Sequence, residues 1–192
     1  MGKIVISTNA SLDGVTQDPD GLENHRAGGW FTASLGTDQA AWAGYFTADA
    51  MEASALLLGR RSEEWFAARW AARTGEWADR LNGMPKYVVS ATAAAPAWSN
   101  STILAGDVVT EVTKLKQETD GDIFVYASYR LVHALIEHDL ADELRLVIFP
   151  VLAGDGDRLF GPASASKPLR LLRAEPLGAG LALLCYEIGP AA

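Results

Sequence analysis

The chain has little of what metal and disulfide chemistry requires. Its 192 residues include one cysteine and three histidines. Cys185 alone cannot form an internal bridge, and its place in the apolar run LALLCYEI predicts a buried structural thiol. His25, His133 and His138 have no cysteine or carboxylate at metal-ligand spacing. The same scarcity excludes a zinc deaminase, which needs three His and Cys ligands with a nearby Glu. Basic charge is also short. Sixteen Lys and Arg stand against 24 Asp and Glu, a net charge of −8, which argues against a surface for nucleic-acid backbones but leaves room for one local basic pocket. No apolar run reaches the roughly 18 residues of a membrane span. The opening MGKIVISTNASLDG has no basic leader, long apolar stretch or cleavage site, so a cytoplasmic protein is expected. A phosphate-binding GxxxxGK[ST] loop, a GxSxG elbow and an HExxH helix are all missing, and Gly154-Asp155-Gly156 lacks the third glycine of a dinucleotide fingerprint.

What is present is an alternation of short apolar runs and amphipathic stretches. The β-branched KIVIST predicts a buried strand over 3–8. A long polar, glycine-rich loop to Gly36 follows, of the kind that often carries function. Thr37 is placed to cap a helix reaching about Ala53, with Trp42, Tyr45 and Phe46 on one face. Strands are predicted over 55–59, 86–90, 101–106, 122–128 and 143–152. Helices are predicted from Ser62 with an interruption near Gly75, over 107–118, and from Arg130 to about Leu140. Two final runs, 168–177 and 181–188, flank Gly178-Ala179-Gly180 as an antiparallel hairpin. The order predicts one α/β domain over 1–192, with a mostly parallel sheet, helices on both faces and an antiparallel end.

Ligands of such sheets gather at the carboxyl ends of strands, which singles out three junctions. In LLLGRRSEEW, Gly59 allows close backbone approach, Arg60 and Arg61 present guanidinium forks, and Ser62 offers a hydroxyl at a helix start. This suits a phosphate equally as well as it suits a simple helix cap. In YVVSAT, Ser90 ends a strand and presents a hydroxyl. In VYASYRL, Ala127 and Ser128 precede a helix whose first N–H groups point outward; either an anion or plain capping by Ser128 satisfies them. Tyr129-Arg130-Leu131 reads as a normal helix start, so a negative φ is expected at Ala127. Asp13, in a Leu-Asp-Gly turn after the first strand, is a pocket candidate or only a turn residue.

ISTNASLDG, LLLGRRSEEW, PKYVVSAT and LVHALIEHDLADELRLVIFPVLAGDGDRLFG together resemble the reductase half of bacterial bifunctional riboflavin-biosynthesis enzymes and their stand-alone dihydrofolate-reductase-like relatives, from Lys3 to about Ile188. The resemblance implies a dihydrofolate-reductase-like fold that binds NADPH. It implies Arg60, Arg61 and Ser90 near the adenosine 2′-phosphate, Gly59, Ser62, Ala127, Ser128, Tyr129, Arg130 and Leu131 around the pyrophosphate, and Thr8, Asn9 and Val15 beside the nicotinamide. Relatives usually carry Gly-Ser or Gly-Gly where Ala127-Ser128 stand, and many carry Thr-Tyr at Ser62-Glu63, so Glu63 brings negative charge towards a phosphate site. A homodimer is implied as well, with the long 143–160 segment as the expected covered edge.

The expected activity is hydride transfer to a small planar heterocycle, pterin- or pyrimidine-like, or to a carbonyl carbon. Trp30, Trp42 and Phe46 are expected at the substrate, though Trp30 suits the core as well. Asp13 is the catalytic candidate, with Glu23, His25 or water as alternative proton sources. Two other readings stay open: a nucleotide- or ligand-binding protein without catalysis on the same fold, and a true dihydrofolate reductase using Asp49 or Glu52 as its helix carboxylate.

Overall fold

In the computed structural model, which describes residues 1–92, 95–161 and 166–189, the opening β-branched run forms β1 (Ile4–Ser11), the central strand. The helices α1 (Trp30–Leu35) and α2 (Gln39–Glu52) lead to β2 (Ala55–Gly59), followed by α3 (Arg60–Trp70), α4 (Glu76–Gly83) and β3 (Lys86–Val89). Then come β4 (Ser101–Leu104), α5 (Val108–Glu118), β5 (Ile123–Tyr126), α6 (Tyr129–Glu137) and β6 (Glu143–Phe149). A hairpin of β7 (Leu169–Leu177) and β8 (Leu181–Ile188) ends the sequence of elements.

The eight strands form one sheet in the order β4-β3-β2-β5-β1-β6-β8-β7. All pairs from β4 to β6 are parallel, and β6-β8 and β8-β7 are antiparallel. Strands buried on both faces carry near-continuous apolar runs, and Leu56, Leu57 and Leu58 of β2 are fully buried. Val5, Leu56, Leu58 and Phe124 face a layer made by α1 to α4, while Ile4, Ile6, Leu57 and Val125 face α5 and α6. Helices therefore cover both faces, as the alternating pattern predicts.

Three local expectations are corrected. The glycine-rich loop contains a short helix, α1, which the polar composition around it concealed. Thr37 does not cap α2. It lies in a single 3-10 turn (Gly36–Asp38), and no side chain caps that turn or α2. The 143–160 segment is not a sheet edge: β6 is flanked by β1 and β8, because the hairpin inserts β8 beside it. The exposed edge at that end is β7.

Asp38 ties the hairpin to the start of α2. Its carboxylate accepts the Ala179 and Gly180 N–H groups, both at 2.7 Å, beside the left-handed Gly178 (φ 76°). Those N–H donors hold its pKa below the ordinary 3.8. A lowered carboxylate pKa stabilises the fold fully above the ordinary value, and the contribution disappears as pH falls through the folded value. Asp38→Ala should therefore lower Tm at pH 7. In thermal melts across pH, the gap to the wild-type chain should close below about pH 3.8; a gap that persists undiminished there would show that the carboxylate charge is not the stabilising feature.

Candidate functional site

The candidate cleft follows from unequal strand lengths. β5 pairs with β1 only over Ile4–Ser7, whereas β6 accompanies β1 as far as Ser11. Beyond Tyr126 the chain turns away, leaving Thr8 to Ser11 without a neighbour on the β5 side. The floor beside this gap is built by the carboxyl ends of β2 and β5, which are adjacent in the sheet. Each end runs straight into a helix, α3 after Gly59 and α6 after Ser128, and neither helix N-terminus is capped by a side chain. Two helix N-termini with first-turn N–H groups outside the helical ladder lie side by side there.

A reciprocal pair of hydrogen bonds ties the two junctions. The Gly59 N–H donates to Ser128 Oγ at 3.0 Å, and the Ser128 N–H donates to Ser62 Oγ at 3.1 Å. Ser128 thus does not cap its own helix; its hydroxyl reaches back across the sheet. The expected negative φ at Ala127 is corrected: Ala127 and Ser128 both adopt left-handed backbone, φ 51° and 58°. Two successive residues must reverse the chain between β5 and α6, and their neighbours impose the geometry. The Ala127 methyl is exposed.

The arginines divide. Arg60 pairs with Glu64 at 2.7 Å, one helical turn on, while Arg61 is exposed and has no ion pair among the described residues. Glu63 does not project towards this surface. It is buried and accepts the Trp98 N–H at 2.6 Å, so its charge is directed into the fold. Ser90 is buried at the end of β3; its N–H donates to the Leu104 carbonyl, and its hydroxyl accepts the Thr92 N–H at 3.3 Å. Tyr129 donates its hydroxyl to Asp157, and Arg130 lies over the Tyr129 ring. Leu131 packs into the α5–α6 layer, so only its backbone belongs to the junction. Thr8 is buried and Asn9 half-buried on β1, at the gap. Val15 is fully buried and bridges to Arg158, which withdraws its side chain from the cleft.

Asp13 is a clamp rather than a proton donor. It accepts the Ser11 hydroxyl (2.6 Å) and the Ala153 and Gly154 N–H groups (3.0 and 2.9 Å). Those bonds, the Ser11 hydroxyl foremost, hold its pKa down to about 2. Trp30 closes the core: it is 4% exposed, meets Phe149 edge-on at 5.5 Å and donates Nε1–H to the Gln17 carbonyl. Phe46 is likewise buried. Trp42 is half-buried and donates its indole N–H to Asn9 Oδ1 at 2.9 Å, with Phe31 against its edge.

Two further carboxylates organise the surroundings, Asp18, which had no sequence signal, and Asp49, a candidate only as a dihydrofolate-reductase helix carboxylate. Asp18 is buried and gathers the loop by accepting the Glu23 and His25 N–H groups, in a pattern spread over seven residues. Asp49 is buried under α2, where it accepts from Arg145 (2.9 Å) and the Tyr126 hydroxyl (3.2 Å). Burial drives its pKa up, against the Ser7 hydroxyl and the Arg145 charge. A cavity of about 450 Å³ lies beside it, lined by Tyr45, Asp49, Glu52, Arg145 and Arg173. Among the described residues no helix is long and apolar enough to cross a membrane.

Fold and cleft define a dihydrofolate-reductase-like α/β protein with an open strand end where β1 runs on past β5. The sequence matches the RibD C-terminal domain over residues 2–183, and the chain belongs to that family. It is 32% identical over 108 residues to the uncharacterized protein YyaP of Bacillus subtilis (strain 168), a match spanning 56% of each chain. A Shewanella sp. PV-4 protein assigned to riboflavin biosynthesis superposes with a TM-score of 0.75 at 20% identity, covering 99% of this chain and 100% of that one. Dihydrofolate reductase from Enterococcus faecalis, complexed with NADP(H), superposes with a TM-score of 0.62 at 13% identity, covering 98% of each chain.

Left-handed backbone costs an alanine roughly 1–2 kcal/mol and costs glycine almost nothing. Glycine also loses more freedom on folding, by about 0.4–1 kcal/mol. Ala127→Gly should therefore raise stability by up to about 1 kcal/mol in urea unfolding. A clear loss of stability would mean that Ala127 sits in a right-handed conformation.

Proposed function

We propose that this chain is an NADPH-dependent reductase acting on a small planar heterocycle, pterin- or pyrimidine-like, or on a carbonyl compound. The observation that carries the reading is the pair of uncapped helix N-termini at the adjacent ends of β2 and β5, with Arg60 and Arg61 on the first turn of one of them. Helix N-termini suit phosphate groups, and arginine forks suit a terminal phosphate. Family membership and the NADP(H) complex of a structural relative support the same cofactor. When bound, NADPH would supply the hydride. The protein's part is then to hold the phosphates at Gly59, Ser62 and Ala127 to Leu131, to meet the 2′-phosphate with Arg60, Arg61 and Ser90, and to present the Thr8–Asn9 edge and Trp42 to the reacting rings.

A second reading is kept by one observation: Asp13, the carboxylate nearest the end of β1, is held ionised and fully bonded. With Asp13 held in these bonds, proton delivery would fall to Glu23, His25 or water, or the protein binds nucleotide without turnover. Tight NADPH binding with no oxidation by any pterin, quinone or carbonyl acceptor would select the binding-protein reading.

The arginines generate a selectivity test. Arg60→Ala and Arg61→Ala should each weaken NADPH by about 1.5–3 kcal/mol, roughly tenfold or more, and leave NADH nearly unchanged. Titrations that show equal losses for both cofactors would mean that neither guanidinium reads the extra phosphate.

The reading includes a single cytoplasmic domain that works as a homodimer joined at β7. Leu169, Leu171 and Leu172 on this edge strand are 43%, 53% and 45% exposed, and an unpaired apolar edge invites pairing. Sedimentation at micromolar concentration should give twice the 20.5 kDa chain mass. Leu171→Lys should shift the population to monomer, whereas a wild-type chain that sediments as a monomer would remove the dimer from the proposal.

A further inference from the structure

Asn9 is held in one orientation. An indole N–H can only donate, so the atom that receives Trp42 Nε1–H at 2.9 Å must be the amide oxygen of Asn9. The Asn9 Nδ2 group is therefore turned away from Trp42 as a pure donor. No acceptor faces it among the described residues, and it is not sealed from solvent. Asn9 also lies beyond the last residue of β1 that pairs with β5, where that flank of the strand is open.

The face matters as much as the position. Val5, two pleats earlier on β1, packs into the layer formed by α1 to α4, so Asn9 projects to that side, as does its β6 partner Val147. Thr8 and Ala10 project to the opposite side. On that face Asn9 has Val147 beside it in the sheet and Trp42 above it, and the Trp42 ring has Phe31 edge-on at 5.1 Å and Phe46 tilted at 4.9 Å.

We infer that Asn9 is a substrate-specificity residue that donates an amide hydrogen bond to a carbonyl oxygen on the edge of a planar ring, and that Trp42 is the positioning residue fixing its direction. The inference rests on the reductase reading and narrows it: the preferred acceptor is a flat ring bearing a carbonyl, against the Phe31–Trp42 wall. Rings with only N–H or O–H donors on that edge are disfavoured, because two donors would face each other. A donor at that point also favours an oxygen that gains electron density during reduction.

The test measures binding, not turnover. Calorimetric titration of the NADP⁺-saturated protein would compare isatin with indole, the same bicycle without carbonyls. The wild-type chain should prefer isatin by about tenfold, the yield of one well-placed hydrogen bond in a partly desolvated site. Asn9→Asp is the informative variant. Its carboxylate still accepts from Trp42 and fills the same volume but has no N–H to donate, so the isatin preference, read at saturating NADP⁺, should vanish. Trp42→Phe keeps the ring and frees the amide to rotate, so the preference should fall about threefold. An unchanged isatin preference in Asn9→Asp would overturn the assignment. So would a wild-type chain that binds neither bicycle, or a loss of NADP⁺ affinity matching that of isatin, which would make Asn9 a cofactor residue. Failure of the wild-type chain to bind NADP⁺ would sink the reductase reading instead, and titrating the bare chain with the same pair would still read out the Asn9 donor.

Discussion

Ala127 and Ser128 in left-handed backbone are the constraint on which the rest of the cleft depends. They end β5 at Tyr126, so that β1 runs on alone, and they point the start of α6 towards the start of α3. The conformation costs roughly 1–2 kcal/mol per residue. The two hydrogen bonds that clasp it, Gly59 N–H to Ser128 and Ser128 N–H to Ser62, contribute roughly 0.5–1.5 kcal/mol each. The clasp alone, about 1–3 kcal/mol against about 2–4 kcal/mol for the two residues, does not fully offset the strain. The surplus comes from the face of α6, where Leu131, Val132 and Leu135 are buried, at roughly 1.5–3 kcal/mol for each fully buried side chain. The turn is held because the helix after it has nowhere else to pack.

A chain of net charge −8 can still host a phosphorylated ligand if its carboxylates near the cleft are already engaged. Glu63 is directed inward to the Trp98 N–H, Glu64 is paired with Arg60, and Asp13 is closed over the Ala153–Gly154 backbone. Arg61 is left exposed without an acidic partner among the described residues. What matters for an anion is this local arrangement within a Debye length of about 8–10 Å, not the total.

How much of this was legible in the sequence depended on the range of the interaction. The strand-to-helix junctions at Gly59 and Ala127 were legible because each is a local change of hydrophobic period, marked by a small residue, whereas Ser90 ends β3 ahead of a connection to β4. The family blocks supplied the fold around them. The conformation of Ala127 was not legible: Tyr129-Arg130-Leu131 is an ordinary helix start, and the partners that enforce the turn through Ser128, the Ser62 hydroxyl and the Gly59 N–H, lie 66 and 69 residues away. Trp30 was ambiguous for the same reason, since its choice of core over cleft is decided by Phe149 and the Gln17 carbonyl. The insertion of β8 between β6 and β7 is a topological fact with no local signature. It turned an expected edge strand into an interior one.

The buried Asp49 explains why α2 holds Trp42 where it does. Asp49 lies seven residues, two helical turns, after Trp42, so both belong to one stripe of the helix, with Tyr45 and Phe46 between them. At its lower end the stripe is pinned by Asp49 to Arg145 and Tyr126, which with Ser7 occupy one row across β5, β1 and β6. At its upper end it is pinned by Trp42 to Asn9, the next residue of β1 on the same face. A dihydrofolate-reductase carboxylate would have to face the cleft; Asp49 instead spends its lone pairs on the sheet, and Glu52 is paired with the same Arg145. Removing a partner from such a buried ion pair usually costs several kcal/mol, since the remaining charge stays desolvated. The network therefore fixes the rotation of α2 about its axis. That rotation sets the height of Trp42 above the open end of β1, and so the direction in which Asn9 presents its amide.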